Sequence, residues 1–170
     1  MQWKHAFQLI TTLGIALALN AQTPLPATDV TAAQIQDFLK ALPRDAVSDK
    51  AIRTIDVGGY RVGVFGVFRP KSAVQEAILH ETKVTEIYYM LDGAATLVTG
   101  GTIPNSRRSA PAIGHPSQRG PKIEGGVSRR VTKGDVIIIP GGTPHWFSAM
   151  ESDLTYLIYR PDPEGTLPLK

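Results

Sequence analysis

The chain has 170 residues, of which 42% are hydrophobic and 19% charged, so it suits one globular domain with a buried core and is not a disordered chain. Its formal net charge of +3, which falls to +2 without Lys4, is too small to imply nucleic acid or an anionic membrane as a partner. There is no cysteine, which excludes disulfides, a thiol nucleophile and a cysteine-ligated zinc site.

Residues 1–21 read as a secretory signal. Lys4 and His5 precede an apolar run over 6–19, small residues follow it, and cleavage is expected after Ala21. The run is fourteen residues long and carries Gln8, Thr11 and Thr12, which is too short for stable membrane insertion. The mature protein is therefore expected to be exported, periplasmic or secreted. Residues 22–48 form an N-terminal helical arm, Pro-rich up to Ala27. Asp29 or Thr31 caps a helix with Ile35, Phe38, Leu39 and Leu42 on one face, and Pro43 stops it. A single amphipathic helix cannot stand alone, so it must pack on the rest of the chain or on a partner subunit.

From residue 49 the pattern becomes that of strands. Alternation predicts them at 51–57, 60–68, 75–80, 86–91, 94–99, 127–131, 136–139, 145–149 and 154–159. Sixteen glycines and thirteen prolines supply the turns between them, Gly58-Gly59 among them. About nine short strands over 49–162 predict an all-β antiparallel jelly roll or barrel. Residues 100–126 are rich in Gly, Pro, Ser and Arg without apolar period and read as a long loop, with His115 exposed in it. Residues 163–170 read as a C-terminal tail. Between Gly101 and Lys133 seven cations face Glu124 alone, so 7 − 1 gives +6, and Arg107 and Arg108 are candidates to attract an anionic ligand.

Two stretches carry ligand-type side chains: His80 to Gly93, and Gly134 to His145. His80, Thr82 and Glu86 share strand parity, but a straight strand would hold His80 and Glu86 roughly 20 Å apart. A shared ion therefore demands a chain reversal within 81–85, a segment with no Gly, Pro or Asn to signal one.

The first stretch resembles the first cupin motif, His-x-His-x(3,4)-Glu-x(6)-Gly, at His80, Glu86 and Gly93. The second resembles the second cupin motif, Gly-x(5)-Pro-x-Gly-x(2)-His, at Gly134, Pro140, Gly142 and His145. The resemblance spans about 49–160. It implies a double-stranded β-helix, a homodimer, and one divalent metal ion (Fe, Mn or Zn) held by His80, Glu86 and His145 inside the barrel. Three positions depart from the pattern. Thr82 stands at the second histidine of the first motif, Val74 at a frequent glycine, and Ala149 at a frequent asparagine. Thr82 reduces the ligand set to two imidazoles and a carboxylate, which leaves positions open on a metal. The alternative is a barrel without metal, with His80 and His145 as ordinary hydrogen-bonded interior residues.

Thr82, Tyr88, Met90 and Phe147 are candidates for the pocket wall. Met90 and Phe147 suit the core better, and Tyr88 suits a hydrogen bond to a ligand. Trp146 alternates with His145 and should face the other side of its sheet. The resemblance implies a small polar or anionic molecule as ligand, turned over by a dioxygenase or isomerase. A barrel that captures a sugar or acid without turnover is a second expectation, and a structural protein a third. No catalytic residue is assigned, and no P-loop, nucleophile elbow, dinucleotide fingerprint or nucleic-acid motif is present.

Overall fold

A computed structural model describes residues 24–112 and 114–170; the segment read as a signal, 1–21, lies outside the described residues. The arm helix α1 (Ala32–Ala41) is capped by Thr31 rather than Asp29. The Thr31 hydroxyl accepts from Gln34 N while the Gln34 side chain accepts from Thr31 N at 2.8 Å, a reciprocal pair that satisfies two end donors. Ile35, Phe38, Leu39 and Leu42 then pack on Phe68 and Leu91. The helix seats over Gly66, where a Cβ would lie 3.0 Å from both Phe38 and Leu39.

Eleven strands follow: β1 (Ser48–Asp56), β2 (Arg61–Arg69), β3 (Ala77–His80), β4 (Glu86–Asp92), β5 (Ala94–Thr99), β6 (Arg107–Ala112), β7 (His115–Gly120), β8 (Val127–Thr132), β9 (Val136–Ile139), β10 (His145–Met150) and β11 (Leu154–Asp162). They form one sheet in the order β1-β2-β11-β4-β9 and a second in the order β6-β7-β3-β10-β5-β8, with antiparallel pairing throughout. Alternate side chains point between the sheets, and Val67, Met90, Leu97, Leu154 and Tyr156 are wholly buried there. The result is a double-stranded β-helix, the all-β jelly roll expected. Gly93 turns β4 into β5 with φ of 89°, and a Cβ there would sit 2.0 Å from the Asp153 carbonyl oxygen, so a side chain is excluded twice over.

Three expectations need correction. Residues 100–126 are not a long loop but contain β6 and β7, and β7 pairs with β3 through Ile78–Arg119 and His80–Ser117. The strand escaped the apolar pattern because its inward positions are His115, Ser117 and Arg119, none of them hydrophobic. His115 is accordingly buried at 6% exposure, with Nε2 2.7 Å from Thr166 Oγ1 and 3.4 Å from Thr82 Oγ1. Residues 163–170 are part of the barrel. The Asp162 carboxylate accepts from Leu167 N at 2.7 Å, Leu167 is wholly buried in the core, and Lys170 exchanges backbone hydrogen bonds with Thr54 at 3.0 Å. Trp146 does face outward from the cavity, donating to the Gln75 carbonyl at 2.9 Å beside Ala77, Val98 and Ile123.

Candidate metal centre and the cavity around it

β3 ends in one sheet at His80 and β4 opens the other at Glu86, so the reversal demanded of 81–85 is a crossing between the two sheets. Local hydrogen bonds shape it: Thr82 N donates to the His80 carbonyl at 2.9 Å and Val84 N donates to Thr82 Oγ1 at 3.1 Å. Distant segments hold it. Thr85 N donates to the Pro161 carbonyl at 3.2 Å, and Gly141 of the second motif lies so close that a Cβ would be 2.6 Å from the Lys83 backbone. That contact puts the two motifs together, and His145 arrives at the start of β10, paired with Ile78 of β3.

His80, Glu86 and His145 each offer a ligand atom within 4.8 Å of the others, and all three are buried. Their partners decide which atoms those are. Ser117 Oγ donates to the His115 carbonyl at 3.3 Å, so its 3.0 Å contact with His80 Nδ1 is one in which the imidazole N–H donates. His145 Nδ1 donates to the Thr143 carbonyl at 3.0 Å. Both rings therefore keep a lone pair on Nε2. Burial holds both neutral, outweighing the opposing pull of Glu86: His145 is pushed down, and His80 is pushed down to about 4.

Glu86 is fastened from the opposite side. Arg160 Nε donates to Oε1 at 2.8 Å, with Nη2 in ion-pair contact with the same oxygen at 2.6 Å, while the Tyr88 hydroxyl donates to Oε2 at 3.0 Å. Burial by itself would raise the carboxyl pKa; the Arg160 guanidinium outweighs it and holds the group well below the usual carboxylate range. Arg160 is 1% exposed and also grips Asp49 through both its Nη atoms, at 3.0 and 2.6 Å. Glu86 Oε2 thus faces His145 Nε2 at 3.4 Å with no proton between them. Two imidazole lone pairs beside a carboxylate whose only other donor on this side is the Tyr88 hydroxyl fit a divalent cation, and such a set suits Fe(II), Mn(II) or Zn(II). The Nδ1 hydrogen bonds are the orienting contacts that ligating histidines ordinarily have.

The cavity beside the cluster measures about 320 Å³, at the small end of ligand pockets. Tyr88 lines it, but three other pocket candidates do not. Met90 and Phe147 lie in the core between the sheets, and Thr82 turns toward His115 and Val84 N instead. Of the basic segment, Arg107 is paired outward with Glu76 at 2.7 Å and Arg108 is exposed, whereas Arg119 reaches the cavity. Sequence reasoning missed Arg160, Asp49, Arg69 and Ser117. Arg160 was the most visible of them, since it shares inward parity with Tyr156 and Ile158 in an apolar strand and a charge at such a position needs partners. A larger surface depression, about 670 Å³, lies between 24–28 and 55–58, where Asp56 is committed to Gly58 N and Gly59 N.

The neutral histidines carry a pH prediction for the metal-free protein. Their folded pKa values are depressed below the unfolded value, so the unfolded chain takes up protons first as pH falls. Stability should be full above pH ~6.5 and decline toward about pH 4, by on the order of 3 kcal/mol from His80 alone. Urea denaturation across that range checks it; a flat profile would contradict neutral, buried imidazoles.

Two facing antiparallel sheets, with both ligand-bearing motifs at their inner surface, define this as a cupin fold carrying a two-histidine, one-carboxylate cluster. Among solved structures the chain is similar to the DMSP lyase DddQ from Ruegeria pomeroyi, with 16% identity, coverage of 86% of this chain and 80% of that one, and a TM-score of 0.48. It is also similar to a Bacillus halodurans protein, with 17% identity, coverage of 85% and 89%, and a TM-score of 0.47. A third likeness is an RmlC-like cupin family protein from Methanocaldococcus jannaschii, with 13% identity, coverage of 72% and 89%, and a TM-score of 0.42. No family model and no curated protein matches the chain. These likenesses are distant, and the fold assignment stands on the strand order and motif positions themselves.

Proposed function

We propose that this is an exported barrel that binds one divalent metal ion through His80, Glu86 and His145 and acts on a small polar or anionic molecule held in the adjoining cavity. The observation that carries it is the convergence of three buried ligand-type atoms, from two imidazoles and a carboxylate, within 4.8 Å. Bound there, the ion would supply Lewis acidity or redox chemistry at its open positions. The chain's own residues do the rest. Arg160 and Tyr88 fix the Glu86 carboxylate, and Ser117 and the Thr143 carbonyl fix the imidazoles. Dioxygenase and isomerase chemistry are both compatible with such a site.

A second reading, capture without turnover, draws support from Arg160. Its guanidinium already neutralises Glu86, which weakens the electrostatic demand for a metal ion. Metal content separates the two. Protein purified without chelator and dialysed against Fe(II), Mn(II) or Zn(II) should retain about one ion per chain; a barrel that retains none overturns the metal reading. Export rests on the apolar run over 6–19, and the secreted form should begin at Gln22 by N-terminal sequencing. An intact Met1 on the mature protein would refute it.

A further inference from the structure

The cavity has a second unsatisfied wall, opposite in character to the cluster of acceptors. Arg69, at the end of β2, lines it half-buried. Its Nε donates to Tyr156 Oη at 2.9 Å, its Nη1 donates to Gln75 Oε1 at 2.8 Å, and the Phe147 ring lies 5.3 Å from Cζ. All three neighbours are neutral. A guanidinium has five N–H donors, so 5 − 2 leaves three without a partner among the described residues. Tyr156 Oη accepts from Arg69, and its own proton has no acceptor among the described residues. Burial pushes the Tyr156 phenol up, so that proton stays in place.

The carboxylates nearby are already engaged. Asp49 and Glu86 are bound by Arg160, and Glu76 by Arg107. Arg119 is a further half-buried cation on the same cavity, and its guanidinium has no hydrogen-bond partner among the described residues. Among the lining groups Lys50, Arg69, Arg119 and Arg160 face Asp49, Glu76 and Glu86, so 4 − 3 gives +1 before any metal is counted. The excess is concentrated at Arg69 and Arg119. Half-buried guanidiniums whose hydrogen-bond capacity is unfilled are ready partners for an anion.

We infer that the cavity receives a small carboxylate, whose carboxylate group seats on Arg69 and Tyr156. The rest of the molecule reaches toward His80, Glu86 and His145, a placement that rests on the metal reading above. A planar guanidinium with a phenol beside it matches the two coplanar oxygens of a carboxylate. A guanidinium fork also accepts phosphate, but the further oxygens of that larger anion are ordinarily met by backbone N–H groups or a helix N-terminus as well. The one helix among the described residues, α1, packs on Phe68 and Leu91 and contributes nothing to the cavity.

The test is calorimetric titration of the purified protein, metal-free and Zn(II)-loaded, with malonate, its neutral analogue malonamide, and inorganic phosphate. Malonate should bind at least about tenfold more tightly than either of the others. Arg69→Met should weaken malonate binding by about tenfold or more, with Arg69→Lys restoring only part. Tyr156→Phe keeps the ring volume and should cost severalfold, and it carries the test if Arg69→Met does not fold. Malonate binding that is absent, matched by malonamide or phosphate, or unchanged in a folded Arg69→Met protein overturns the inference. If malonate binds through Arg69 but Zn(II) does not load, the metal reading fails alone; if Zn(II) loads and malonate does not bind, this inference fails alone.

Discussion

Replacing Arg160 with Met should lower stability by about 3–5 kcal/mol, the usual result of removing one partner from a buried ion pair. For a chain of this size that corresponds to a fall in Tm of about 10 °C, at roughly 2–4 °C per kcal/mol. Arg160 is 1% exposed and is the cation common to Glu86 and Asp49. Without it the Glu86 carboxylate is left deep between the sheets with only the Tyr88 hydroxyl as donor. The chain then has three options: hold a costly bare charge, protonate Glu86, or open. Pairing the change with Glu86→Gln removes the stranded charge and should recover much of the loss, because two neutral groups of similar shape carry little desolvation penalty. Thermal unfolding of the single and double variants reads both effects. A single variant as stable as the parent would mean that the pair is not the anchor of this end of the barrel.

His145→Ala should weaken Zn(II) or Mn(II) binding by about 100-fold or more, while Thr82→Ala should change it by less than about threefold. Loss of a contact that merely orients a ligand ordinarily costs 10–100-fold, so loss of a ligand atom belongs at or beyond the upper end. Thr82 holds the position where the family resemblance has a histidine, yet its hydroxyl serves the turn at Val84 N and the buried His115. The two substitutions therefore separate a three-ligand site from one in which Thr82 still takes part. Equilibrium dialysis with metal analysis measures both. Retention of metal by His145→Ala at the parent level would remove His145 from the ligand set.

The two experiments meet at Glu86. Arg160 holds Oε1, leaving Oε2 directed toward His145 Nε2. One carboxylate thus serves both the stability of the barrel and the geometry of the cluster. A variant at Arg160 that still folds should also bind metal differently from the parent.

Strand periodicity carried most of the fold, because β2, β4, β5, β9, β10 and β11 bury apolar side chains at alternate positions. The helix was equally legible, since its cap and stop are local chemistry at Thr31, Gln34 and Pro43. β6 and β7 were not, because β6 is largely exposed and the buried positions of β7 hold His115, Ser117 and Gly120, and a period-2 pattern cannot be seen without hydrophobic contrast. The C-terminal segment was misread for a related reason. Its role depends on Leu167 alone entering the core, held by an Asp162 carboxylate that no short-range rule singles out.

By itself the sequence determined the ligand types at His80, Glu86 and His145, the strand pattern around them, and the necessity of a reversal between the first two. Local chemistry alone could say no more about that reversal, because 81–85 contains no Gly, Pro or Asn to signal a turn. Only the tertiary structure decided how it is made: the chain passes from one sheet to the other, pinned by Pro161 and by the missing side chain of Gly141. The tertiary structure also decided the electrostatics. Arg160 lies 74 residues from Glu86 and 111 from Asp49 along the chain, and charges so far apart become partners only when sheet register brings them into one low-dielectric interior.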